Sequence, residues 1–137
     1  VRAFIDTNVF IYAAGAPHPY KEPCREILRK VGAGSLDGTT NAEVLQELLY
    51  VLGRRTERKI ARSVVENVIK LIPDLLSIGA PELELAAQLL EKHETLSARD
   101  VVHIASMRLH GIRNVVSFDR HFDGVDGIRR LEPGVDV

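Results

Sequence analysis

The chain has a single cysteine, a single methionine and no tryptophan in 137 residues. One cysteine, Cys24, excludes an intramolecular disulfide and a cysteine-based zinc site, and it fits a reducing, cytoplasmic setting. Four Phe and three Tyr are too few for a large platform that stacks successive bases. Neither sign of charge dominates, with 18 basic against 19 acidic residues. Net charge therefore does not mark a nucleic-acid binder, and attraction to phosphates would have to come from a local basic patch. No apolar run reaches the roughly 18 residues that span a membrane, so no membrane association is expected. Asp6 interrupts the first apolar segment, which therefore does not read as a signal sequence. Repeats, low-complexity tracts and long linkers are missing, so one domain over residues 1–137 is expected. The P-loop, H-E-x-x-H, G-x-S-x-G and dinucleotide glycine patterns are also missing.

What is present is an alternation of short apolar runs with amphipathic stretches, and 45% apolar residues to fill a core. Ala3–Ile5 predicts a strand, followed by a helix from Val9 to Ala14 capped by Asn8. A second helix is predicted from Tyr20 to Val31 and a short strand from Leu36 to Thr39. Thr40-Asn41-Ala42-Glu43 has the form of a capping box opening a helix to about Gly53. Another helix, from Glu57 to Leu71, carries the apolar stripe Ile60, Val64, Val65, Val68 and Leu71. Leu75–Ile78 reads as a strand and Pro81 as the first turn of a helix to His93. Ser97-Ala98-Arg99-Asp100 is a second capping box, opening a helix to His110. Asn114–Ser117 is a strand, and Ile128–Leu131 a short edge strand. The pattern implies an α/β fold: a three-layer α/β/α sandwich around a parallel sheet of four to five strands.

In such folds, ligands bind beyond the carboxyl ends of the strands. Asp6, Asp100 and Asp119 fall at predicted strand ends or helix starts, and Glu47 lies within a turn or so of one. Carboxylates gathered at one edge repel one another unless a cation intervenes, and a hard divalent ion such as Mg²⁺ or Mn²⁺ prefers oxygen ligands. The chemistry suggested is metal-assisted phosphodiester hydrolysis. Each acid also has a plain structural explanation. Asp6 suits a helix dipole, Asp100 a capping box, and Asp119 an ordinary turn. Glu43 and Glu47 share a helix face. Glu43 is closer to the helix start, while Glu47, beside Leu48-Leu49, is harder to explain as surface. Asp123 is a fifth acid competing with Asp119. Thr7 and Asn8 are placed to orient Asp6. His103, three residues after Asp100, is read first as a packed histidine, and His121 as solvent-exposed. Arg54, Arg55, Arg58, Lys59 and Arg62 form the densest basic run. It is read as a solvated face before a phosphate-binding one.

Taken together, Phe4-Ile5-Asp6-Thr7-Asn8-Val9, Val44-Leu45-Gln46-Glu47-Leu48-Leu49, Ala98-Arg99-Asp100-Val101-Val102-His103-Ile104-Ala105 and Val116-Ser117-Phe118-Asp119-Arg120 resemble a PIN-domain ribonuclease, specifically a VapC-like toxin of a toxin–antitoxin pair. The resemblance implies that Asp6, Glu47, Asp100 and Asp119 are the catalytic acids, with Asp6 and Asp100 holding Mg²⁺ or Mn²⁺. It also implies an RNA substrate, a VapB-like antitoxin and a homodimer. Many relatives carry Thr-x-Asn-x-x-Asp-Phe near the last acid where this chain has Ser-Phe-Asp-Arg-His-Phe-Asp, which leaves Asp119 and Asp123 in competition. Two other readings fit the residues less well. A non-catalytic binding module would be expected to lose an acid. A receiver-type phosphoacceptor would need paired acids after the first strand and a late lysine, and no lysine follows Lys92.

Overall fold

The computed structural model describes residues 1–137. Four strands, β1 (Ala3–Ile5), β2 (Gly38–Thr39), β3 (Asn114–Val116) and β4 (Arg129–Leu131), pair in the order β2-β1-β3-β4. All pairings are parallel, with Phe4 opposite Thr39 on one side and Val115 on the other. Six helices flank the sheet: α1 (Thr7–Ala14), α2 (Lys21–Ala33), α3 (Ala42–Arg55), α4 (Arg58–Leu71), α5 (Ala80–Lys92) and α6 (Ala98–Leu109). They pack mainly as the pairs α1–α2, α3–α4 and α5–α6. This is the α/β/α sandwich expected. Phe4, Ile5, Val115 and Val116 are fully buried, as is usual for central parallel strands covered on both faces.

The expected fifth strand at Leu75–Ile78 shrinks to one parallel bridge between Asn41 and Leu76. Only Leu76 in that segment is buried, and two hydrogen bonds hold it, Ala42 N–H to Leu76 O and Leu76 N–H to Thr40 O. Pro73 and Pro81 bracket the segment and leave little chain to pair. In α4 Val64, Val65, Val68 and Leu71 of the predicted stripe face the core. At its start Ala61 is buried in place of Ile60, which is exposed.

Two predicted helix caps are displaced by one or two residues. Asp6, not Asn8, caps α1, accepting a hydrogen bond from Thr7 N–H at 2.8 Å. Asn41, not Thr40, caps α3, its Oδ1 accepting from Val44 N–H at 3.0 Å. The Thr40 hydroxyl instead donates to Ile5 O at 2.9 Å and ties α3's entry to the end of β1. The Ser97–Asp100 box is present with both of its hydrogen bonds.

Gly38 explains how a glycine comes to sit in a strand. A Cβ there would come within 2.7 Å of Val31 Cγ2 and 3.4 Å of Ile5. Its lack of a side chain lets α2 lie close against β2. Gly38→Ala is expected to destabilise the protein by about 1–3 kcal/mol through overpacking, read as a lower urea midpoint at unchanged slope.

Candidate metal centre

Chain order reverses between β1 and β3: β2 follows β1 on one side, and β3 and β4 lie on the other. Such a switch point opens a crevice at the carboxyl ends of the two central strands. An open cavity of about 290 Å³ lies at the chain segments leaving those ends. Asp6, Glu47, Asp100 and Asp119 all line it, with Thr7, Asn8, Ser97, Arg99, His103, Ile11 and His121.

Ser117 holds the two strand ends together. Its hydroxyl donates to Asp6 Oδ2 at 2.6 Å and accepts from Asn8 Nδ2 at 3.1 Å and Asp119 N–H at 2.9 Å. One donor and two acceptor sites are thus all used. Asn8 also donates to Asp6 Oδ2 at 3.4 Å and accepts from Phe118 N–H at 3.4 Å. The orienting role expected of Asn8 is therefore present, although its capping role is not. Thr7 turns elsewhere, its hydroxyl donating to Glu47 Oε1 at 3.1 Å.

Asp6 is only 7% exposed. Burial pushes its carboxyl up to about 6, with smaller upward contributions from Asp119 and Asp100 and downward ones from the Ser117 and Thr7 hydrogen bonds. Glu47 is also raised, chiefly by burial, against the lowering effect of Thr7, Arg99 and His103. Arg99 Nε lies 3.8 Å from Glu47 Oε1. Asp100 is buried at the third residue of α6, where Oδ2 accepts from Ser97 N–H at 3.0 Å. Asp119 caps a short 3₁₀ turn, Arg120–Phe122, through His121 N–H at 2.9 Å.

The chain brings two carboxylates and an imidazole close enough for one cation. Ligand atoms of Asp100, Asp119 and His121 lie within 4.8 Å of one another. His121 Nδ1 is 3.5 Å from Asp100 Oδ2 and 3.4 Å from Asp119 Oδ1. As expected, the His121 side chain is largely exposed, yet its position two residues past Asp119 aims it back at the acids. Carboxylates converging on one cavity, two of them raised in pKa, are the donor set that a hard divalent cation neutralises.

Glu43 stands outside the cavity lining and is partly buried. With the cap at Asn41, Glu43 is only the second residue of α3. Asn41 and His103 pair near that helix start, and Glu47, one turn on, emerges beside Thr7. Asp123 is likewise outside. Both its oxygens are engaged by Arg130, at 2.9 and 3.3 Å, and this pairing lowers its pKa. The basic run lies off the acids too, with Arg62 paired to Glu66 and Lys59 to Glu57.

His103 is buried beneath the site and packs on Phe4 at 5.1 Å between centroids. Asn41 Oδ1 is occupied by Val44 N–H, so the Asn41 amide must donate to His103 Nδ1, 3.2 Å away. The imidazole then carries its proton on Nε2, which faces Asp6 Oδ1 at 3.8 Å with no hydrogen-bond partner. Burial keeps it neutral, holding its pKa down to about 4. The packed-histidine reading therefore holds. Nothing local in the sequence marks Ser117, Asn41 or Arg99 as part of the site. The first two act through contacts 111 and 62 residues apart along the chain.

Fold and site together define an α/β protein with an acidic, cation-attracting crevice at its topological switch point. The family model for the PIN domain matches residues 3–128, and the chain belongs to the PIN-domain family. Ribonuclease VapC13 of Mycobacterium tuberculosis is 36% identical over 127 residues, covering 93% of this chain and 97% of the relative. Among solved structures, M. tuberculosis VapC20, described as a sarcin-ricin loop cleaving toxin, superposes with a TM-score of 0.76 at 22% identity, covering 90% of this chain and 95% of that one. DNA-bound VapBC from Salmonella typhimurium gives 0.74 at 20% identity, over 96% and 98% of the two chains. These two likenesses speak to the fold.

Proposed function

We propose that this protein is a metal-dependent endoribonuclease and the toxin of a VapBC-type toxin–antitoxin pair, working as one domain. The observation that carries the reading is the convergence of Asp6, Glu47, Asp100 and Asp119 on one crevice of a PIN-domain chain. Its relatives named ribonucleases align along nearly their whole length.

Asp6 and Asp100 would hold the principal Mg²⁺ or Mn²⁺, with Asp119 and His121 beside it and Glu47 completing the shell. When bound, such an ion supplies charge for the scissile phosphate and activates water. The protein's own part is positioning. Ser117 and Asn8 fix the Asp6 carboxylate between β1 and β3. Ser97 fixes Asp100, and Thr7 and Arg99 hold Glu47 at the cavity wall. Water adds at phosphorus and the bond to the 3′ oxygen breaks, leaving a 5′-phosphate and a 3′-hydroxyl.

The antitoxin partner belongs to the same proposal. An apolar groove of about 380 Å³, lined by Phe10, Leu28, Val64 and Leu71 among others, offers area for its apolar side chains. Exposed Leu49, Leu83 and Leu90 on α3 and α5 suit self-association into a homodimer. No helix is long and apolar enough to cross a membrane, and a cytoplasmic location fits the proposed role.

Asp119 and Asp123 provide the sharpest internal test. In a cleavage assay with Mn²⁺, Asp119→Asn is expected to lower the rate by roughly a hundredfold, the scale on which one preorganised electrostatic group acts. Asp123→Asn, which touches only Arg130 at the surface, should stay within about twofold of wild type. The reverse order would move the fourth acid to Asp123.

A further inference from the structure

Seven aromatic residues are present, and three of them, Phe4, Phe10 and Phe122, are fully buried in the core. The other four lie outside the lining of the acidic crevice but next to its residues, Tyr50 beside Arg99, Phe118 next to Asp119, and Tyr12 and Tyr20 packed on Phe118. Tyr50 on α3 lies under the guanidinium of Arg99, a crevice residue, at 6.0 Å. Tyr12, Tyr20 and Phe118 meet at another corner, joined by His18. Tyr20 and Phe118 are stacked, with centroids 4.0 Å apart and planes 10° from parallel. Tyr12 meets both edge-on, at 5.2 and 5.4 Å, and His18 packs against both tyrosines at 4.8 and 4.9 Å.

This corner is built into the site. Phe118 stands between Ser117, bonded to Asp6, and Asp119. Its own amide is anchored to Asn8, and Tyr12 follows Asn8 by one helical turn. Tyr12 and Phe118 pack in part against the core, but Tyr20 is 42% exposed and gives α2 no side-chain cap, so core packing does not account for its ring. The crevice itself is polar, with Ile11 as its one hydrophobic lining residue. Resting on the ribonuclease reading above, we propose that the Tyr20–Phe118 stack, edged by Tyr12 and His18, is a subsite for an unpaired nucleobase of single-stranded RNA next to the scissile phosphodiester. Phe118 directly precedes the crevice residue Asp119, so this corner adjoins the place where the acids would hold a phosphate. Every base has a π face, so stacking of this kind selects unpaired over paired nucleotides rather than one sequence. A chain poor in aromatics thus lacks a long base-stacking platform but concentrates a short one where the chemistry lies.

The test is a fluorescence-anisotropy titration of the full chain with a labelled random-sequence single-stranded oligoribonucleotide. An abasic ribose-phosphate oligomer and an RNA duplex serve as competitors. The titration is made in an Asp100→Asn background so that the RNA survives. Tyr20→Leu keeps an apolar side chain and removes the ring. It should weaken RNA binding by about tenfold and erase the preference over the abasic oligomer, while Tyr20→Trp restores both. Undiminished binding and unchanged base preference in Tyr20→Leu would overturn the subsite. So would a loss confined to binding of a co-expressed protein partner. Cleavage of RNA by wild type with Mn²⁺ or Mg²⁺, run in parallel, separates the two levels. If wild type cuts and the Tyr20 variants bind alike, the subsite alone fails; if wild type does not cut, the ribonuclease reading fails.

Discussion

Asp6→Asn should abolish RNA cleavage and yet raise the melting temperature of the cation-free protein. The fold has no need of the charge at this position. Its folded pKa is about 6 against an ordinary 3.8, so between those values the folded state binds more protons than the unfolded state. Stability therefore falls as pH rises through that window. At pH 7 the ionised, buried carboxylate costs on the order of 3 kcal/mol. Asn removes that cost and still accepts from Thr7 N–H, although its amide nitrogen cannot accept from the Ser117 hydroxyl or the Asn8 amide as Oδ2 does. A net gain of about 1–2 kcal/mol is expected, or several degrees in melting temperature. His103 acts in the opposite sense. Its folded value of about 4 lies below the ordinary 6.5, so its contribution is complete above pH 6.5 and is lost as pH falls toward 4. The two slopes oppose each other in wild type, and Asp6→Asn should expose the His103 limb as acid lability below pH 6.5. Mg²⁺ or Mn²⁺ should stabilise wild type progressively, by about 2.7 kcal/mol at a hundred times the dissociation constant, and the variant far less. Calorimetric melts across pH and cation concentration read all of these. A variant less stable than wild type at pH 7 without cation would contradict the electrostatic account of Asp6.

Asn41→Ala should be the most destabilising polar substitution at the site. It removes the cap from Val44 N–H, worth about 1 kcal/mol. It also leaves His103 Nδ1 buried without its donor, at a further cost of about 1–3 kcal/mol. A loss of about 2–4 kcal/mol in urea unfolding is expected. Asn41→Asp separates the two parts. Its carboxylate still caps α3 but offers His103 only an acceptor, so the imidazole proton should move from Nε2 to Nδ1. The bare Nε2 lone pair would then face Asp6. Nitrogen-15 NMR of the imidazole should report an Nε2–H tautomer in wild type and an Nδ1–H tautomer in Asn41→Asp. An Nδ1–H tautomer in wild type would overturn the assigned network.

Much of the site was legible because Asp6, Asp100 and Asp119 each punctuate an element. An acid that ends an apolar strand, opens a capping box or follows a strand announces its place locally. The Ser97–Asp100 box is legible for that reason. Expectation and structure part where adjacent polar residues compete. Asp6-Thr7-Asn8 offers more than one capping side chain, as does Thr40-Asn41, and distant partners decided between them. Thr40 is drawn to Ile5 O, 35 residues back, and Asn8 to Ser117, 109 residues on. The fifth strand failed because a run of Leu75–Ile78 looks extended whether or not a neighbour is there to pair with it. The aromatic corner was invisible because its rings come from a helix, a loop and a strand end that only the sheet brings together.

The most direct test of the central claim incubates purified wild-type protein with total cellular RNA and Mn²⁺ or Mg²⁺. Chelator and Asp6→Asn serve as controls, and the new 5′ ends are sequenced. The account predicts discrete 5′-phosphate ends that require the cation and vanish in the variant. Intact RNA after incubation with folded, inhibitor-free wild type, or ends that persist in Asp6→Asn, would contradict it.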